Sequence, residues 1–387
     1  MFSARFHWDL QHNRLTELLT ARRREGARIL DLTESNPTRA GFRYPVEAVN
    51  ALANERALLY QPLPAGSVEA REAVAAYYAQ RRRAVSTERI LLTASTSEAY
   101  AYLFKLLANP GDQVLVPRPS YPLFEFLADL ESVEARPYPL IYDNAWSVDF
   151  DALEHAITDR TRAIIVVNPN NPTGSFLKQH ELDRLAQICG SRGLALISDE
   201  VFSDYGFAPD GARVESVAGT EACLTFSMSG LSKIAGLPQM KLGWIVVSGP
   251  QDLRRQAFDR LEWIADTYLS VSTPVQCAAA DLLRLGDGVQ QQIRARCLEN
   301  LQTARSVLRG SPGNILAVEG GWYIIMQVPR TRTEEEWTLE LLGHDGVLVQ
   351  PGFFFDFEQE AFLVASLLTK PVEFAEGIRR VVAALSR

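Results

Sequence analysis

The chain is predicted to be α/β: a large domain with a mainly parallel sheet flanked by helices, plus a smaller α+β domain. Three observations predict this. Short apolar runs alternate with helix-length amphipathic segments from Ile90 to Val247, the pattern of strands joined by helical crossovers. The run Ala163-Ile-Ile-Val-Val is apolar without alternation, as a strand covered on both faces requires. After Pro274 the pattern changes to one long helical stretch followed by short strands, and 387 residues exceed what one simple core holds. The boundaries expected are 46–275 for the large domain, with 1–45 and 276–387 forming an N-terminal arm and the small domain.

Residues 9–28 are polar and helix-compatible, and Thr33 to Tyr44 reads as a loop punctuated by Pro37 and Gly41. Ser67 can cap a helix over 67–83. Ile90–Thr93 is expected as a strand, Ser97–Ala108 as a helix, Val114–Val116 as a strand and 122–130 as a helix. The strand at 163–167 is followed by a helix over 178–192 that ends at Gly193. Strands are then expected at Ala195–Ser198, Cys223–Phe226 and Trp244–Val247. Beyond Pro274, a helix runs to about Leu308. Strands follow near 315–318, 322–327, 346–349 and 362–366, with helices near 334–342 and 371–385. No repeat, low-complexity tract or linker is visible.

A formal net charge of −8 argues against a nucleic-acid binder. The clusters Arg22–Arg24 and Arg81–Arg83 lie on helix-like segments and read as solvated faces. Four cysteines without metal-ligand spacing fit a reducing compartment. The five histidines form no cluster, so no metal is expected. The first residues lack an apolar signal core and no apolar run reaches transmembrane length. A cytoplasmic protein without membrane contact is the expectation.

Lysine is scarce: Lys105, Lys178, Lys233, Lys241 and Lys370 are all there are. Lys233 sits in Ser-Gly-Leu-Ser-Lys-Ile-Ala-Gly, with Lys241 eight residues on. A lysine among small residues, near hydroxyls and a second cation, suits an aldehyde cofactor with a phosphate tail. Four other motifs join it. In Asn168-Pro-Asn-Asn171-Pro-Thr-Gly174, an Asn at a strand's C-terminal end can aim its amide into the crevice there, although Asn-Pro is also ordinary turn chemistry. Asp199-Glu200 ends a strand, where a carboxylate can pair with a protonated ring nitrogen or cap a helix. Thr96 and Ser97 open a helix and make an anion site with its free N–H groups. Tyr121, in Pro-Ser-Tyr-Pro, can stack on a flat ring or pack in the core.

The order of these motifs resembles that of fold-type I pyridoxal-phosphate enzymes, and the chain is similar to the class I/II aminotransferase family from about residue 30 onward. Tyr60-Gln-Pro-Leu-Pro-Ala-Gly66 with Arg71, and Pro351-Gly352, look like that family's segments too. The resemblance implies pyridoxal 5'-phosphate as cofactor, with Lys233 as its Schiff-base partner and proton shuttle. Asp199 would pair with the pyridine nitrogen, Asn171 with the 3′ oxygen, and Tyr121 would stack on the ring. Thr96, Ser97, Ser232 and Lys241 are the phosphate candidates. Tyr60 would reach the neighbouring subunit's phosphate in a homodimer with sites at the interface. The substrates implied are a small-molecule amino donor, an amino acid or amine, and a keto acceptor.

Three positions depart from the family. Phe202 stands where a Tyr usually supports the 3′ oxygen, Lys241 replaces a phosphate-binding Arg, and Val364 occupies the place of the Arg that clamps the substrate carboxylate. Two readings of Val364 follow: a substrate whose amine has no adjacent carboxylate, or a replacement cation, for which Arg39 is the candidate. Trp322, in Gly-Gly-Trp-Tyr, either faces substrate or packs in the core. A lyase, decarboxylase or cyclase of the same fold would keep Lys233, Asp199 and Asn171. A ligand-sensing regulator would need a DNA-binding domain that does not fit before residue 30, and a cofactor-free scaffold would not need the three residues.

Overall fold

In the computed structural model, which describes residues 2–8 and 11–387, fourteen strands are arranged in three sheets. In chain order they are β1 (Leu30–Asp31), β2 (Ile90–Thr93), β3 (Gln113–Arg118), β4 (Glu134–Tyr142), β5 (Trp146–Val148), β6 (Thr161–Val167), β7 (Ala195–Asp199), β8 (Thr225–Gly230), β9 (Gly243–Ser248), β10 (Asn314–Ile315), β11 (Tyr323–Gln327), β12 (Val347–Leu348), β13 (Gln350–Pro351) and β14 (Phe362–Ser366).

Eight strands form the large sheet in the order β2-β9-β8-β7-β6-β3-β4-β5. The five from β8 to β4 run parallel, while β9 is antiparallel to both its neighbours and β5 to β4. Both faces are covered. Ile165, Ile197, Phe226 and Met228 pack on one side with Tyr100, Phe104 and the helix Gln251–Asp266. Ile164 and Leu196, their chain neighbours, point the other way, onto the helix Gln179–Arg192. Trp244 and Val246 meet the helix Val68–Gln80 on that second side. This double burial explains why the central strands are apolar without alternation.

The four-stranded antiparallel sheet has the order β10-β11-β14-β13. One face packs on the 30-residue helix Ala279–Leu308 and on Pro371–Leu385, and the other holds Val364, Ile325 and Phe355 against Trp146 of β5. A two-stranded parallel pair, β1 with β12, ties the start of the chain to this unit.

Most expected elements are present, with shifted ends. The helix expected over 9–28 is Arg14–Arg24, and Asp9 and Leu10 lie outside the described residues. Ser67 does cap Val68–Gln80, its side chain accepting from the Ala70 N–H. Gly193 ends its helix with a positive φ of 65°. The strand expected at Cys223–Phe226 begins later and runs to Gly230. Strands β4 and β5 and the helices Phe150–Ala156 and Gln251–Asp266 were not anticipated. No described helix is long and apolar enough to cross a membrane.

Candidate active site

Sheet register gathers the chemistry at one end of the sheet. Thr93 of β2 pairs with Gly243 of β9, which pairs with Gly230 of β8. The segment after Thr93 carries Thr96 and Ser97, the residue two before Gly243 is Lys241, and the residues after Gly230 are Leu231, Ser232 and Lys233. One row of three residues therefore brings the Thr96 loop beside the Lys233–Lys241 stretch, which is far from it in the chain. Two rungs along, Met228 pairs with Asp199, and Asp199 with Val167. The Asn168 N–H then donates to the Asp199 carbonyl at 2.8 Å. This is the C-terminal edge of the parallel strands, where α/β sheets bind ligands.

Ser95 caps the helix Thr96–Leu107. Its hydroxyl accepts from the Glu98 N–H at 3.2 Å, and Glu98 Oε2 accepts from the Ala94 N–H at 2.7 Å. That reciprocal arrangement leaves the hydroxyls of Thr96 and Ser97 without a partner among the described residues, beside the N–H groups of the first turn. Lys241 is exposed, sits in the left-handed region at φ 52°, and makes no ion pair with a described residue. Ser232 likewise has no hydrogen-bond partner there. A patch of donors with nothing to donate to is what a phosphate would fill.

The asparagine motif sorts itself by bonding. Asn168 donates to the Val214 carbonyl at 2.6 Å and accepts from the Leu177 N–H at 3.0 Å. Asn170 accepts from the Thr173 hydroxyl at 2.9 Å. Both are structural. Asn171 is buried, and its Oδ1 has no hydrogen-bond partner among the described residues. Leaving such an atom unpaired costs about 1–3 kcal/mol unless a ligand meets it. The loop is held by Gly174, at φ 67°, where a Cβ would stand 2.3 Å from the Gly320 carbonyl oxygen. That close approach seats the loop against Gly320-Gly321, just before Trp322.

Lys233 lies in a single helical turn, Leu231–Ile234. Its Nζ is 5.0 Å from the centre of the Trp322 ring and 5.7 Å from that of Phe202. Burial against these rings lowers its pKa, and the charge of Asp199 works the other way. Asp199 is pushed up to about 6 by burial, opposed by the Val201 N–H, the Tyr100 hydroxyl and Lys233. A lysine deprotonated more readily than usual is a better nucleophile. Tyr121 is half-exposed, and its phenol is raised by burial and by Asp199.

Other expected residues stand apart. Tyr60 is 73% exposed and does not join this cluster within its own chain. Arg39 is exposed and forms no ion pair with a described residue. The loop that carries it is stapled to β14, where the Ser366 hydroxyl donates to the Glu34 carbonyl at 2.5 Å. Val364 is fully buried opposite Ile325, within an apolar cluster, so that face of β14 offers no cation. Trp322 is also buried. It is a core residue, edge-on to Phe202 and Tyr205, whose ring nonetheless floors the Lys233 amine.

The model of the family described as Aminotransferase class I and II matches residues 27–372. The chain belongs to this family. The glutamate-pyruvate aminotransferase AlaA of Escherichia coli K12 is 29% identical over 343 residues, 86% of this chain and 84% of the relative. The alanine aminotransferase of Mycobacterium bovis is 28% identical over 379 residues, 92% of this chain and 85% of the relative. The solved alanine aminotransferase of Pyrococcus furiosus superposes with a TM-score of 0.87 at 24% identity, covering all of both chains. This chain is thus an aminotransferase with the fold-type I architecture expected of it.

Three residues that touch this cluster were missed in the sequence. The Tyr205 hydroxyl donates to the Lys233 carbonyl at 2.6 Å, and the Tyr100 hydroxyl approaches Asp199 Oδ2 at 3.4 Å. Gln290 donates to the Ile234 carbonyl at 2.7 Å. Tyr205, in the turn after β7, had no signal of its own. Tyr100 and Gln290 had none, because both sit inside helices that read as ordinary amphipathic segments. Arg81 was expected on a solvated face, but its guanidinium is paired with Asp204 at 2.6 Å, since the helix end turns inward onto the segment after β7.

Proposed function

We propose that the chain is a pyridoxal-phosphate-dependent aminotransferase that moves an amino group between an amino acid or amine and a keto acid, with Lys233 as the residue bonded to the cofactor. The observation that carries this is the convergence of Lys233, Asp199 and the unpaired Asn171 amide beside hydroxyls that have no other partner. These residues fit the group: Thr96, Ser97, Ser232 and Lys241 for the phosphate, Asn171 and Tyr121 for the ring, Asp199 for its nitrogen. When bound, the cofactor supplies an aldehyde and an electron-accepting ring. Asp199, as a carboxylate, would hold a proton on the ring nitrogen. Lys233 Nζ would carry a proton to and from the reacting carbon, and the Phe202 and Trp322 rings would keep water from that amine.

Substrate selection follows from Val364. With no cation on that face of β14, the donor's carboxylate would be held from elsewhere, and Arg39, on the loop stapled to Ser366, is the proposed residue. Tyr60 would complete the site of a second copy, in a homodimer. The proposed division is 46–275 for the cofactor domain, with 1–45 and 276–387 as an N-terminal arm and small domain. Four free cysteines, three of them buried, fit a cytoplasmic setting.

The test is a half-reaction. Cofactor-loaded protein mixed with L-alanine or L-glutamate alone should convert the bound cofactor to its aminated form, read by absorbance, and release the keto acid. Lys233→Ala should not turn over. Loss of cofactor colour with ammonia release in place of amination would overturn the reading. Arg39→Ala should raise KM about tenfold or more, and an unchanged KM would exclude Arg39.

A further inference from the structure

Behind the Lys233 turn lies a cavity of about 450 Å³ that contains none of the residues assigned above to the cofactor or substrate. Its walls come from the end of the helix Val68–Gln80, the segment 203–216 after β7, and the long helix Ala279–Leu308. Five arginines and four carboxylates line it. Arg81 is satisfied by Asp204, and Arg213 by Asp210 and Glu319, at 3.4 and 3.0 Å. Glu200 is buried and takes hydrogen bonds from Ser198, Ser216, Ser227 and the Val217 N–H. That leaves Glu215 against three arginines, Arg82, Arg83 and Arg294, that have no ion-pair partner among the described residues. Ser229 also lines the cavity; the residue is 1% exposed and its hydroxyl has no hydrogen-bond partner among the described residues.

A drug-sized hollow with unneutralised guanidinium groups at its rim and a buried, unsatisfied hydroxyl in its lining has the make-up of a ligand site. We propose that it is a second binding site, for a small organic anion bearing a phosphate or a carboxylate. Arg82, Arg83 and Arg294 take the charged end, and Tyr77 and Ser229 face the body. The site is wired to the active-site lysine. Asp204, in its wall, accepts from Gln290 Nε2 at 2.8 Å, and the same nitrogen donates to the Ile234 carbonyl. Tyr205, next to Asp204, holds the Lys233 carbonyl. An occupant that draws Arg81 or Gln290 away from Asp204 would act on the turn that carries Lys233.

The test is calorimetry on cofactor-saturated protein, whose own phosphate site is filled, at low ionic strength. Inorganic phosphate and succinate are titrated separately. At least one should bind saturably, once per chain, and the tighter one identifies the anion. Arg83→Ala/Arg294→Ala, which removes two half-exposed or exposed side chains, should weaken that binding about tenfold or more while leaving basal turnover unchanged. Neither anion binding with a Kd below about 10 mM, or equal binding by the double variant, would overturn the proposal. Binding is read without turnover, so the outcome is independent of which substrates the enzyme uses.

Discussion

Asp199 titrates at about 6 because burial outweighs the Val201 N–H, the Tyr100 hydroxyl and the Lys233 charge that stabilise its anion. A folded-state pKa above the unfolded one means that folding favours the protonated carboxyl. The associated stability is present below about pH 4 and lost as pH rises through about 6. Asp199→Asn removes that penalty. Without cofactor the variant should be more stable than the parent at pH 8, by about 1–3 kcal/mol, and equal to it near pH 4. Urea titrations at the two pH values check this, and a gap of the same size at both would refute it. With cofactor the same variant should lose most of its activity. Phe202 is the complementary case. Its ring borders Lys233 without offering a donor, so Phe202→Tyr should lower the pKa of the loaded enzyme's visible absorbance transition by about one to two units. A rise on spectral titration would refute this.

Strand ends decide how the site is built, and one glycine pair shows how tightly. A Cβ at Gly230 would lie 2.8 Å from the Leu242 carbonyl oxygen and 2.9 Å from Gly243 Cα, both backbone atoms that cannot step aside. Gly230→Ala should therefore push β8 from β9 where the phosphate cup and the Lys233 turn meet. The expected cost is about 1–3 kcal/mol of stability together with weaker cofactor retention on gel filtration. Gly211→Ala, with nothing within 4 Å of the added atom, should change neither. At this scale the sequence was readable wherever a run was short, apolar and covered on both faces, as in β2, β6 and β7. It was not readable in β4, where Pro137 and Pro139 interrupt the period of two and Tyr138 alone is buried. The cap at Ser95 was missed because Ser95, Thr96 and Ser97 are chemically equivalent candidates, and only the Glu98 contact chooses among them. Asp199 could be picked out because it ends a recognisable strand, Asn171 because its motif follows one, and Lys233 because lysine is scarce and this one sits among small residues, whereas Tyr100 and Gln290 reach the cluster from helix interiors.

Among the described residues, four large apolar side chains lie uncovered within one short run, residues 58–63. Leu58, Leu59 and Tyr60 are 89%, 59% and 73% exposed, and Leu63 is 46% exposed, in a segment that adjoins the large sheet but does not reach its own Lys233. Singly exposed apolar residues need no explanation, but a contiguous run marks an interaction surface. A second copy of the chain is the occupant that the proposed function requires, because Tyr60 has no ligand to meet in its own subunit. The parent should behave as a dimer by light scattering at micromolar concentration. Leu58→Asp/Leu59→Asp should give a folded monomer, judged by an unchanged circular dichroism spectrum, that no longer transaminates. Tyr60→Phe removes one hydroxyl and no apolar area, so it should remain a dimer while binding cofactor about tenfold more weakly. The two variants separate assembly from ligation. If the double variant is monomeric yet fully active, each subunit carries a complete site and Tyr60 has no role across the interface. If Tyr60→Phe binds cofactor as the parent does, the segment is an interface and nothing more.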